Sequence, residues 1–250
     1  MLISCNILPG YKLKAIDGDF GTITDLLFDD ENKMIRYFVV NCGGWLNREE
    51  VLLSPVAFEE PDHEAFTIST ILSKHAIEDA PAIESNPPVS KQSQSDLADY
   101  FDWPMFWSHI PEQLSHRLSF DESEVEAGES HDMHLRSLKE IRGYTIKCNE
   151  GDLGHVEELI VDTDTWTLRY LTIDTGVWLP GKKVIIGIDW LSDICWEEQS
   201  ASIDLSREQV KDAPIYNPRS PINREYETKV YDYYGRPTYW SKAGTYSLYE

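Results

Sequence analysis

Ile35-Arg36-Tyr37-Phe38-Val39-Val40-Asn41-Cys42-Gly43-Gly44-Trp45-Leu46 recurs 133 residues later as Leu168-Arg169-Tyr170-Leu171-Thr172-Ile173-Asp174-Thr175-Gly176-Val177-Trp178-Leu179. Each copy is an apolar strand, a small-residue turn and a loop bearing Trp-Leu. Outward from this stretch the same offset holds. Gly10-Tyr11 matches Gly143-Tyr144, and Ala80-Pro81 matches Ala213-Pro214. Pro104-Met105-Phe106-Trp107 matches Pro237-Thr238-Tyr239-Trp240. A register kept for about a hundred residues without a gap marks one structural unit built twice. The domains expected are 1–107 and 135–240, an acidic linker over 108–134, and a tail over 241–250.

Within each unit the strands are short. Tyr11 to Ile16 ends at Asp17-Gly18-Asp19, and an Asp-Gly pair between apolar runs predicts a hairpin. Gly21 to Asp29 and Gly154 to Asp162 follow, then a polar turn, then the quoted strand. Period 2 puts Phe38 and Val40, and Leu171 and Ile173, on the core face. Tyr37 and Tyr170 fall on the other face and are candidate seams between the units. Glu50 to Leu53, Lys183 to Ile186, Ala65 to Ile71 and Ala201 to Leu205 complete the strands. Short strands at this spacing predict a small antiparallel barrel, closed or nearly so.

The chain then turns helical. Ser206 with Gln209 three residues on reads as a capping box, and Ser73 starts the shorter counterpart. Pro81 and Pro214 stop these helices. Ser90 and Asn223 cap a second helix, ending near Tyr100 and Tyr233. Each unit closes on an aromatic tail, Tyr100 to Trp107 and Tyr233 to Trp240.

The net charge is −22 and the pI about 4.6, the wrong sign for nucleic-acid backbones or anionic lipid. Solubility accounts for the acidity, and a basic partner is the sharper reading. No signal peptide and no apolar run of spanning length is evident, so a cytoplasmic setting with reduced Cys5, Cys42, Cys148 and Cys195 is expected.

The order Gly-Tyr, Asp-Gly-Asp-x-Gly, Asp at 29 or 162, Ile/Leu-Arg-Tyr and Gly-x-Trp-Leu resembles the PRC-barrel domain, the small β-barrel named for the cytoplasmic part of the photosynthetic reaction-centre H subunit. The second copy, with Gly154-His155-Val156-Glu157 and Trp178-Leu179-Pro180-Gly181, is the nearer to it. The chain is similar to bacterial proteins with two such domains in tandem. The resemblance implies a binding or assembly module rather than a catalyst.

The fold class expected is therefore mainly β: two tandem PRC-barrel-like barrels, each followed by short helices, packed as a pseudo-twofold pair. Trp45, Trp178, Trp107, Trp240 and Tyr239 are the candidate partner-binding residues, because Trp and Tyr are favoured at interface centres. Each could instead pack on its own barrel. Arg36 and Arg169 are expected to pair across a hairpin with Asp29 and Asp162. The acidic residues 17–31 lack the EF-hand spacing, and His131 and His134 read as a chance pair rather than metal ligands. No nucleophile, phosphate-loop or zinc-hydrolase motif is present. The function expected is a non-catalytic interaction, assembly or stress-related adaptor, without cofactor, metal, nucleic acid or membrane span. Its partners are proteins, and it is an internal pseudo-dimer open to homo-oligomerisation. The alternative is a small-ligand or metal-binding barrel.

Overall fold

The hairpin predicted at the repeated stretch forms in both copies. The computed structural model describes residues 1–43, 50–81, 89–103, 132, 134–176 and 179–241, in two compact units. In chain order the strands are β1 (Leu2–Ser4), β2 (Lys12–Ala15), β3 (Gly18–Asp29), β4 (Met34–Asn41), β5 (Glu50–Leu53), β6 (Thr67–Ser69) and β7 (Leu135–Ser137). There follow β8 (Thr145–Cys148), β9 (Gly151–Asp162), β10 (Thr167–Asp174), β11 (Lys183–Gly187), β12 (Leu191–Cys195) and β13 (Ser200–Ile203).

One unit is Ile7–Lys139; the other joins Met1–Asn6 to Glu140–Glu250. The compact units therefore do not coincide with the sequence repeats. The Ile7–Lys139 unit contains β7, which opens the second repeat. The other contains β1, which opens the first. In the Ile7–Lys139 unit the long strand β3 pairs with β4 along one edge. On its other edge it pairs with β2 at one end and β7 at the other. The second unit repeats this with β9, which pairs with β10, β8 and β1. Even the register is shared. Leu135 faces Asp29 and Ser137 faces Leu27, as Leu2 faces Asp162 and Ser4 faces Ile160. Asp30 N–H donates to His134 O at 2.9 Å and Thr163 N–H to Met1 O at 2.9 Å. Ser137 Oγ donates to Asp25 at 2.5 Å, and Ser4 Oγ to the equivalent Glu158.

The expectation of an antiparallel barrel, closed or nearly so, is corrected in its strand pairing. β2 pairs with β6, and β8 with β13, in parallel. A parallel partner has to be reached by a crossover rather than a tight hairpin. β6 reaches β2 only after the chain has laid down β3, β4, β5 and a 3-10 turn at Pro55–Ala57. Among the described residues the ladder in this unit ends at β5 and β6 without their pairing to each other. The class is mainly β with mixed pairing.

The two faces of β4 also differ from the period-2 expectation. Phe38 and Val40 are fully buried, but so nearly are Ile35, Tyr37 and Val39. The second face is covered by the Lys91–Phe101 helix of the same unit. Tyr37 and Val39 share a cluster there with Leu27, Leu52, Ala80, Val89, Leu97 and Leu135. Alternation identifies two faces but not how many are buried, and an apolar residue at nearly every position signals a strand covered on both sides. Tyr170 is likewise buried in its own unit, so neither tyrosine is a surface residue.

The local chemistry is as expected. Ser73 Oγ accepts from Ala76 N–H, and Ser90 Oγ from Ser93 N–H. Asn223 caps the Arg224–Tyr234 helix, and Ser206 with Gln209 makes the full capping box. Left-handed backbone recurs at the repeat spacing: Lys33 and Trp166, Phe66 and Gln199, Asp102 and Gly235. Gly154 has φ +142°, and a Cβ there would lie 2.1 Å from Asp174 O. The four cysteines are free thiols.

Candidate functional site

The β3–β4 hairpin places a charge inside the unit. Register between Leu27–Tyr37 and Phe28–Ile35 slips by one residue, so Arg36 is the extra residue of a β-bulge. A bulge re-aims a side chain that strict alternation would send the other way. Arg36 and its neighbour Tyr37 accordingly both reach Gln94 of the covering helix. Arg36 Nη2 donates to Gln94 Oε1 at 2.7 Å and Tyr37 OH to the same oxygen at 3.3 Å. Arg36 Nη1 lies 3.3 Å from Asp29 Oδ2 and 2.9 Å from Asp132 Oδ2. Gln94 Nε2 donates to Asp132 Oδ2 at 3.1 Å. The Arg36–Asp29 pairing expected across the hairpin is therefore present, and Asp132 and Gln94 extend it. Asp29 also closes the turn, accepting N–H bonds from Glu31 at 3.0 Å and Asn32 at 2.7 Å.

Burial pushes the Asp132 carboxyl up, but the Arg36 charge, the Gln94 amide and the His134 N–H outweigh it and hold it below the usual carboxylate range. The sign of the pH effect follows. A depressed folded-state pKa stabilises above the unfolded value of about 3.9 and is lost as pH falls through the folded one. Acid unfolding should therefore steepen below about pH 4, and Asp132→Asn should flatten that limb. Thermal melts across the acid range check this; an unchanged acid limb in the variant would count against it.

The second unit carries the same bulge. Leu168 pairs with Val161 and Tyr170 with Ile160, leaving Arg169 extra. Here the helix presents Glu227 where the other unit has Gln94. Glu227, buried, accepts from Tyr170 OH at 2.6 Å and Tyr239 OH at 2.9 Å. Arg224 Nη1 lies 3.1 Å from its other oxygen. Burial and the Glu227 bond push the Tyr170 phenol far above its ordinary range. Burial takes Tyr231 up to about 12. Arg169 pairs with Asp162 at 3.7 Å and stands 4.2 Å from the Tyr239 ring centre. Arg224 stands 4.0 Å from that of Trp240.

Of the candidate partner-binding residues, Tyr239 and Trp240 are thus half-buried against their own unit. Trp240 meets Tyr231 edge to face at 5.2 Å and Tyr239 at 4.9 Å. Trp45, Trp107 and Trp178 lie outside the described residues, as does His131. His134 contacts Asp30 at 2.9 Å and Glu31 at 3.6 Å. Among the described residues no group of three or more His, Cys, Asp or Glu could hold a metal. Sequence reading missed Gln94, Asp132 and Glu227. The pairing of Gln94 with Glu227 at the repeat spacing was the available sign.

The class this geometry defines is a small mixed β-domain whose bulged, ion-paired hairpin is covered by one helix. Residues 14–71, from β2 to just before the Lys74–Asp79 helix, match the family model of the PRC-barrel domain. An uncharacterized protein of Deinococcus radiodurans is 32% identical over 84 residues. The match covers 33% of this chain and 30% of the relative, so the chain spans less than a third of that relative's length. Among the described residues no helix is long and apolar enough to cross a membrane.

Proposed function

We propose that the protein is a non-catalytic tandem PRC-barrel protein, cytoplasmic, that works by protein–protein contact as an assembly or stress-related adaptor. The observation that supports a second such domain is the doubled hairpin. Residues 135–240 repeat the bulge, the arginine, the tyrosine, the caps and the left-handed turns of the first copy. The buried ionisable groups support a non-catalytic reading. Arg36 and Asp132 are held by each other and by Gln94, and Glu227 by Tyr170, Tyr239 and Arg224, so they serve the fold.

In this reading the contact residues are Trp45, Trp178 and Trp107, with the half-buried Tyr239 and Trp240 offering their remaining surface. Large amphipathic rings supply contact area at low entropy cost. The test is crosslinking in the native cell with the full chain. A discrete protein partner should be captured by the wild type and lost with Trp45→Ala or Trp178→Ala. Turnover in a substrate screen, or no partner above background, would sink the reading.

A further inference from the structure

The duplication supplies an internal control for every surface position. Ile16, Val56 and Ile71 are exposed by 72%, 57% and 66%. At the repeat spacing their counterparts are Asn149, Asp189 and Asp204, all exposed. The second repeat folds β8, β13 and the 3-10 turn at Ile188–Trp190 at the positions of β2, β6 and the turn at Pro55–Ala57, so these elements do not need apolar side chains there. Scattered exposed aliphatics are ordinary, but grouped ones mark interaction sites.

These three are grouped. Ile16 N–H donates to Leu72 O at 3.1 Å, and Ile71 N–H to Ala57 O at 3.1 Å. Two backbone bonds thus bring residues 16, 71–72 and 56–57 to one corner of the Ile7–Lys139 unit. Exposed carboxylates flank them in the chain: Asp17 and Asp19 after Ile16, and Glu59 and Glu60 after Val56.

We propose that this corner docks a basic amphipathic segment of a partner protein. Apolar side chains seat on Ile16, Val56 and Ile71, and Lys or Arg meets the carboxylates that flank Ile16 and Val56 in the chain. The net charge of −22 sets the sign of the partner. Two copies of this chain repel each other, whereas a cationic segment is steered in. This deepens the reading of the chain as a protein-binding module and rests on it.

The test uses the full chain and a Leu/Lys peptide patterned at helical period, with a scrambled peptide of the same composition. Wild type should bind the patterned peptide at physiological salt and prefer it to the scrambled one. The variant Ile16→Asn, Val56→Asp, Ile71→Asp installs the residues that the second repeat already folds with. It should keep its melting temperature and lose at least about tenfold in affinity, or ~1.4 kcal/mol. The substitution adds negative charge, so non-specific attraction predicts the opposite result. Equal or tighter binding by the variant would overturn the proposal, as would equal binding of the scrambled peptide. So would concentration-dependent self-association that the variant abolishes, which would assign the corner to a second copy. If a cellular partner is captured equally by wild type and variant, the corner is excluded while the adaptor reading stands.

Discussion

Arg36→Ala should destabilise the Ile7–Lys139 unit by about 3–5 kcal/mol, the range found when one member of a buried ion pair is removed. The guanidinium is nearly fully buried between Asp29 and Asp132, and both carboxylates would lose their counter-charge inside the unit. The cost is that of stranded anions rather than of lost attraction. Removing the whole cluster, with Arg36→Met, Asp29→Asn and Asp132→Asn together, should therefore recover a large part of it. Arg169→Ala should cost less, about 1–2 kcal/mol, because its side chain is 21% exposed and its carboxylate stands at 3.7 Å. Urea denaturation of the three variants measures this. Equal losses from Arg36→Ala and Arg169→Ala would show that burial is not what sets the cost.

Gly154→Ala should cost about 3–5 kcal/mol, from two sources. The backbone at φ +142° lies where side chains are strained by about 1–3 kcal/mol. The added Cβ would also stand 2.1 Å from Asp174 O, in the neighbouring strand, and overpacking of that kind costs about 1–3 kcal/mol or more. Gly151→Ala separates the two. It too has positive φ, at +110°, but its Cβ would meet only the Arg207 guanidinium tip at 3.4 Å. It should show the backbone cost alone. If both substitutions cost the same in denaturation, close approach of β9 and β10 is not what demands the glycine.

Much of the local structure was legible. Ser73, Ser90, Ser206 and Asn223 cap helices because a side-chain oxygen followed by a helical pattern satisfies orphan N–H groups wherever it falls. Asp17-Gly18 turns the chain because Gly18 carries φ +128°. The Asp29–Arg36 pair was legible because a short hairpin leaves few partners. Gln94 and Asp132 were not, since they meet Arg36 from 58 and 96 residues away. The bulge at Arg36 carries no composition cue either. It is set by the register of two strands, and that register turned Arg36 toward the helix rather than toward the opposite face.

The amino-acid sequence by itself determined that one hairpin-and-helix unit was built twice. Periodicity, caps and turn residues act within a few positions, and the offset of 133 repeats them. Only the tertiary structure decided where the opening strand of each repeat belongs. Leu2–Ser4 and Leu135–Ser137 are too short to carry a preference of their own. Strand pairing is a matter of which edge is free, and β3 and β9 each run on past β2 and β8 with that edge open. Leu135–Ser137 fills one in the Ile7–Lys139 unit, and Leu2–Ser4 fills the other in the unit of Glu140–Glu250. Tertiary packing likewise decided that the tyrosine face of the repeated strand is core, because a helix some sixty residues downstream covers it.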